Sequence, residues 1–455
     1  MKTKSAQSPS CSPQLVSRPK EQDTAEPSAK LSRSNSRSTG SRWPSGVDLL
    51  KATATLLLAS RGAAATAGPA RPLYVNGKNI DYLNGGRYDQ LIGLNAVDTH
   101  ACGVYGHQQV SANAQRKILD FAAANINFGM VRYDLEFDAV SRNGSDALSL
   151  ANQVQHFDYL GNTLGKNVLV APWITPSELT DGAPTPHTDA LLTALSTLAK
   201  TRPWMLIGVG NENHPNNPSA ATDEAIRRRM QHAIHTIRRT TPDTLISVGT
   251  PRNYDADVSL AYEAQPLQDP QHPANPQILY ALHLYGPPAR VTQTLAAVQS
   301  SSLPYFIEEA GPTGENVEGQ GPTANGMTYA GFCSLLTQAR AQQLVVLPWV
   351  LGPRDCAPSM TRPRANSVPL QGDVELTPWG QMVAQASQTG VCVVPPPAPP
   401  TAPQLSPPPA PGAPGTKSTS SAPGPVASGT ASVASRAPLA SLLVGTGVAA
   451  ALVLV

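Results

Sequence analysis

The sequence predicts a (β/α)8 (TIM) barrel, an α/β domain spanning residues 72–394, flanked by a disordered N-terminal tail and a proline-rich C-terminal one. Three observations carry that expectation. From about residue 90 to about 390, eight short apolar runs alternate with amphipathic segments, the pattern of repeated β-α units. The runs are hydrophobic almost throughout, as strands covered on both faces are. An open doubly wound sheet is the alternative, but no Gly-x-Gly-x-x-Gly follows the first run.

In chain order the strands are expected at "LIGLNAV" (91–97), "NFGMVRYDL" (127–135), "NVLVAPWI" (167–174) and "WMLIGVGNE" (204–212). The second half continues with "TLISVGT" (244–250), "ILYALHLYG" (278–286), "PYFIEEAG" (304–311) and "LVVLPWVLG" (344–352). Helices are expected between them. "SANAQRKILDFAAAN" (111–125) opens on a serine whose hydroxyl suits the first unpaired amides. "TDALLTALSTLAK" (188–200) carries leucines at helical spacing, and "SAATDEAIRRRMQHAIHTIRR" (219–239) turns a charged face outward. The later helices are read at "RVTQTLAAVQ" (290–299), "TYAGFCSLLTQARAQQ" (328–343) and "TPWGQMVAQAS" (377–387). The link between the fifth and sixth strands shows no clear element.

Composition separates the body from its extensions. Residues 1–71 carry 11 Lys/Arg against 4 Asp/Glu, whereas residues 72–394 carry 20 against 27. An acidic body without basic stripes argues against nucleic acid as a partner. Residues 395–438 open with "PPPAPPTAPQLSPPPAPGAPG", too poor in apolar surface to fold, and read as an extended, O-glycosylated stalk. Residues 439–455, "LASLLVGTGVAAALVLV", are uncharged and apolar. They read as a GPI-attachment signal with small residues at Ser428-Gly429-Thr430, or as a short membrane span. Within 1–71, "LLKATATLLLASRGAAATAG" (49–68) has a signal-like apolar centre interrupted by Lys51 and Arg61. The expected location is therefore extracellular, at the cell surface, with a membrane anchor. Cys102, Cys333, Cys356 and Cys392 in the body are even in number and compatible with two disulfides. Asn143-Gly144-Ser145 is a permissive glycosylation sequon.

The chemistry concentrates at strand ends. The fourth run stops on "GNENH", with Asn211 and Glu212, and the seventh on "EEAG", with Glu308 and Glu309. In such barrels chemistry gathers at the C-terminal ends of the strands. Two carboxylates from opposing arcs of one mouth are what glycosidic cleavage needs, one to protonate the departing oxygen and one to attack the anomeric carbon.

The arrangement resembles clan A retaining glycoside hydrolases, especially the cellulase and mannanase relatives of family 5. In that clan an Asn-Glu pair ends strand four and a glutamate ends strand seven. The resemblance implies Glu212 as acid/base and Glu309 as nucleophile, with Glu308 turned elsewhere. "HLYG" resembles the strand-six His-x-Tyr through His283 and Tyr285, and "MVRYDL" places Arg132 beneath the nucleophile. "LPWV" puts Trp349 at the floor of the sugar site, and "LYVNGKNIDYLNGG" resembles the prologue before the first strand. Trp173 is a second candidate for stacking on a sugar face. The sequence departs from the pattern at Asn213, where a proline is customary, and at Ala310, where an aromatic is.

These parts imply a coherent reaction. Arg132 and the Tyr285 hydroxyl keep Glu309 ionised, Glu212 keeps its proton opposite that charge, and Asn211 binds the sugar 2-hydroxyl. The expected substrate is a β-linked poly- or oligosaccharide, and no cofactor or metal is implied. His232 and His235 lie three apart on a polar helix without a third ligand. Blander readings make Arg132 an anchor for Asp134 or Glu136 and His283 a core histidine. A transglycosidase on the same site, and a barrel that binds cell-surface carbohydrate without turnover, are the alternative functions. Oligomeric state is not legible.

Overall fold

The computed structural model describes residues 68–97, 111–135, 139–145, 149–172, 181–211, 219–251, 262–315, 322–352, 358–364 and 372–395. The strands are β1 (Leu73–Asn76), β2 (Asn79–Tyr82), β3 (Leu94–Val97), β4 (Met130–Leu135), β5 (Asn167–Pro172), β6 (Met205–Val209), β7 (Ile246–Gly249), β8 (Ile278–Leu284), β9 (Tyr305–Ala310) and β10 (Val346–Pro348). They are followed by β11 (Thr361–Pro363) and β12 (Val374–Leu376). The α-helices are α1 (Ala112–Asn125), α2 (Leu150–Asp158), α3 (Pro186–Ala199), α4 (Ala220–Arg238), α5 (Pro288–Ser300), α6 (Tyr329–Ala341) and α7 (Pro378–Thr389).

Strands β3 to β10 form one sheet in chain order, every neighbour parallel. The sheet curls until β10 meets β3, where Ile92 bridges Val346 and Ala96 bridges Leu351. The Leu351 amide donates to Asn95 O at 2.6 Å and the Val346 amide to Leu91 O at 2.9 Å. Each of the eight expected runs supplies one strand, and the result is a (β/α)8 barrel. The helices start where the sequence offers caps. Ser111, Thr185, Ser219, Thr328 and Thr377 each accept from an amide of the first turn, satisfying donors that the helix itself cannot.

Two apolar clusters divide the core. Outward-facing strand residues such as Val131, Tyr133, Val168, Ile207, Ile246, Tyr280 and Ile307 pack with helix residues such as Leu119, Leu192, Ile234 and Leu335. Inward-facing Met130, Leu169, Leu206, Leu279, Phe306 and Leu347 fill the barrel from within, joined by Leu73, Val75 and Ile80 of the β1–β2 hairpin. Gln277, just before β8, accepts from the Val75 amide at 2.8 Å. The hairpin therefore covers the N-terminal end of the barrel, where the prologue was expected.

Further up five of the strands, the inward positions turn polar: Asn95, Arg132, Ser247, His283 and Glu308 are all buried. The barrel thus has a greasy floor and a polar upper layer at its C-terminal mouth. That layer is where the strand ends deliver side chains to one point.

Some elements were not expected. Helix α2 and the antiparallel β11–β12 hairpin were absent from the sequence reading. Residues 262–277, between β7 and β8, contain no helix. Cys333 on α6 and Cys392 beyond α7 form a disulfide with Cα atoms 5.3 Å apart, while Cys102 and Cys356 lie outside the described residues. So do the N-terminal tail 1–67, with its signal-like segment, and the stalk and apolar C-terminus from residue 396 onward. Among the described residues no helix is long and apolar enough to cross a membrane.

Candidate active site

The upper layer is organised by Arg132. Its guanidinium is fully buried and reaches residues of β3, β4 and β9 and the segment just after β6. One terminal nitrogen donates to Asn95 Oδ1 and to Glu309 Oε1, both at 2.8 Å. The other donates to Asn211 Oδ1 at 2.5 Å and lies 2.7 Å from Asp134 Oδ1. Its Nε lies 3.5 Å from Glu308 Oε1. Burial alone pulls the guanidinium pKa down, but Asp134, Glu308 and Glu309 hold it above its ordinary value. The charge is permanent. Both readings of Arg132 therefore hold together: it pairs with Asp134 and it grips Glu309.

Glu309 is 2% exposed at the end of β9. Its Oε1 receives Arg132, and its Oε2 receives the Tyr285 hydroxyl at 2.8 Å and lies 3.2 Å from His283 Nδ1. A carboxylate that takes a guanidinium on one oxygen and a phenol on the other is held in one orientation.

Glu308 is a correction to the sequence reading, which turned it away from the site. Alternation along β9 should send consecutive side chains to opposite faces. Between β8 and β9, however, Leu282 pairs with Ile307 and His283 with Glu309, so β9 carries one extra residue. The same shift appears against β10, where Val346 pairs with Ile307 and Pro348 with Ala310. This bulge turns both glutamates inward, as bulges beside functional sites do when they re-aim a side chain. Glu308 accepts from Ser247 Oγ at 2.9 Å and faces His283 Nε2 at 3.2 Å. Burial raises its pKa, but Arg132 and the His283 and Ser247 contacts prevail and hold the carboxyl below its usual value.

The remaining candidates fall around this centre. His283 is fully buried between the two glutamates. Tyr285 and Trp349 are partly exposed. Trp349 follows β10 directly, with its amide bonded to Ala310 O at 2.8 Å and its carbonyl accepting from Trp379 Nε1 at 2.8 Å. Asn211 follows β6 after Gly210, whose φ of +79° makes the turn that swings the amide inward. Glu212 and Trp173 lie outside the described residues, as do Asn213 and His214. Among the described residues no cluster of His, Cys, Asp or Glu could hold a metal.

Asn95 was missed by sequence reasoning. Its Nδ2 donates to Glu308 O at 2.9 Å and Leu347 O at 2.8 Å while its oxygen takes Arg132. It stitches β3 to β9 and β10 at the seam and locks the bulged strand. The signal was present: a lone amide inside the apolar run "LIGLNAV".

The fold is a (β/α)8 barrel whose polar layer presents a clamped carboxylate at the C-terminal mouth. The model of the cellulase family, glycosyl hydrolase family 5, matches residues 95–355, and the chain belongs to that family. The cellulase Cel5C_n is 15% identical with a TM-score of 0.53, covering 72% of this chain and 95% of its own. The catalytic domain of Thermobifida fusca endoglucanase Cel5A is 18% identical with a TM-score of 0.50, covering 70% and 97%. A thermostable, halotolerant cellulase from an Icelandic hot spring isolate is 14% identical with a TM-score of 0.51, covering 72% and 97%. No curated protein matches the chain.

Proposed function

We propose that the protein is a retaining glycoside hydrolase that cleaves a β-linked poly- or oligosaccharide by double displacement. The single observation that carries this reading is the clamp on Glu309, which accepts from Arg132 and Tyr285 at 2.8 Å each at the end of β9. In the first step Glu309 attacks the anomeric carbon while Glu212 gives its proton to the departing oxygen. A glycosyl ester of Glu309 and a free leaving-group hydroxyl result. In the second step Glu212, now a carboxylate, takes a proton from water as the water oxygen displaces Glu309. The sugar leaves with its anomeric configuration retained.

The other residues have supporting roles. The Asn211 amide donates to the sugar 2-hydroxyl, a bond that strengthens as positive charge develops on the ring. Trp349, and Trp173 beside it in function, offer indole faces to the apolar side of the sugar. Family membership and the endoglucanase and cellulase neighbours favour a β-glucan as substrate.

The test offers the full chain β-glucans, β-mannans and xylans and measures reducing ends, with Glu309→Gln as control. Turnover on one class, lost in the variant by about 10⁴-fold or more, is the expected result. Turnover that survives the substitution removes Glu309 as nucleophile. Binding without turnover favours the carbohydrate-binding alternative.

We also infer that the enzyme works outside the cell on a GPI anchor. The Cys333–Cys392 disulfide suits an oxidising compartment, and the C-terminal sequence has the spacing of an attachment signal. Phosphatidylinositol-specific phospholipase C should release the protein from intact cells; retention after treatment contradicts the anchor.

A further inference from the structure

One side-chain amide touches both the backbone beside Glu309 and the cation that grips its carboxylate. Asn95 is 1% exposed on β3, and in the parallel ladder it stands opposite Arg132 of β4. Its oxygen accepts from a terminal nitrogen of Arg132 at 2.8 Å, and the same nitrogen donates to Glu309 Oε1 at 2.8 Å. Its NH2 donates across the barrel seam to Glu308 O at 2.9 Å and to Leu347 O at 2.8 Å. The Glu308 carbonyl belongs to the peptide bond that joins Glu308 to Glu309. The contacts therefore close a ring. It runs from the Asn95 nitrogen through that peptide bond and the Glu309 side chain to Arg132, and back to the Asn95 oxygen.

The chemistry of the place explains the residue type. Two carbonyls and one guanidinium N–H need two donors and one acceptor within short reach. A primary amide carries both donors on its nitrogen and two lone pairs on its oxygen. An aspartate would keep the acceptor and lose both donors. The carbonyls need holding because the ladder loses step beside them. Glu308 is the residue that β8 skips, and Leu347 lies in the irregular stretch where β10 pairs with β9. A bulge disrupts the ladder locally, and Pro348, next along β10, has no N–H to contribute.

We propose that Asn95 is a positioning residue for Glu309, fixing its backbone through the Glu308 carbonyl and its carboxylate through Arg132. One planar amide sets the distance between those two points, so the carboxylate meets the mouth at one height. The same NH2 holds Leu347, two residues before Trp349, which ties the nucleophile strand to the strand that leads to the indole. Asn95 is buried and acts only through these neighbours.

This role rests on Glu309 being the nucleophile. The full chain and its Asn95→Asp and Asn95→Ala variants are compared in three measurements. These are steady-state kinetics on the glycan that the wild type cleaves, thermal melts, and the rate at which a 2-deoxy-2-fluoro-β-glycoside labels Glu309. Asn95→Asp keeps the shape and the oxygen and removes both N–H donors; Asn95→Ala removes the whole amide. In each, kcat and the labelling rate are expected to fall by about a hundredfold, with KM little changed. A purely structural residue would lower the melting midpoint and leave kcat and labelling per folded molecule as they were. That result, or wild-type kcat in both variants, overturns the proposal. If one variant fails to fold, the other decides. A wild type labelled elsewhere than at Glu309 removes the nucleophile reading and this role with it. A wild type labelled at Glu309, with variants labelled as fast, removes this role alone.

Discussion

One guanidinium sets the order of the upper layer at the scale of single residues. Arg132 can be buried because Asn95, Asn211 and Glu309 take its protons and Asp134 stands beside it as a counter-charge, and an unpaired buried charge would cost several kcal/mol. Among the described residues, Tyr285 adds a donor to Glu309 from a partly exposed side chain. A hydrogen bond to a charged group contributes about 1.5–3 kcal/mol. Tyr285→Phe should therefore lower kcat/KM by roughly ten- to a hundredfold with the unfolding midpoint little changed. Steady-state kinetics with thermal melts checks this, and an undiminished rate would mean that the phenol does not act on Glu309. Arg132 was legible because a charged residue inside "MVRYDL" must find partners. The same reasoning applied to Asn95 and Ser247 would have found them. Glu308 was not legible, since strand alternation places it opposite Glu309 and a bulge leaves no mark in the sequence.

At the scale of elements, strands were easier to read than connections. The eight runs stand out because both faces are covered, which leaves little room for polar residues. Helix α2, "LANQVQHFD", was missed because only a few apolar residues mark its buried face. Its His156 is 1% exposed, and Nδ1 has no hydrogen-bond partner among the described residues. Burial, aided by Arg116, pushes its pKa down to about 4. The unfolded chain takes up this proton below about 6.5, the folded protein only near 4. Stability is therefore full above pH 6.5 and falls by about 3 kcal/mol as the pH drops from there to 4. Urea unfolding at pH 7 and pH 5 should show that slope in the wild type and a flatter one in His156→Leu. Equal slopes would place the titration elsewhere. The Cys333–Cys392 bond ties α6 to the segment after α7 across 59 residues. Closing such a loop stabilises by roughly 2–4 kcal/mol, so Cys392→Ser should lower the urea midpoint accordingly. An unchanged midpoint would show that the bond constrains nothing that unfolds.

The whole molecule joins a barrel to extensions of different composition. Within the barrel a hairpin and an apolar layer close one end, and a polar layer with a bulged strand arms the other. Fold and direction followed from the sequence because barrel chemistry sits at strand ends, and "EEAG" closes the seventh strand. The proposed partner acid, Glu212, follows Asn211 in the sequence and lies outside the described residues. Trapping is therefore the most direct test of the account. The full chain is incubated with a 2-deoxy-2-fluoro-β-glycoside of the sugar it cleaves and then digested, and the labelled peptide is sequenced by mass spectrometry. One glycosyl adduct, carried on Glu309, is the predicted result. An adduct on Glu308, or sustained turnover with no adduct, would contradict it.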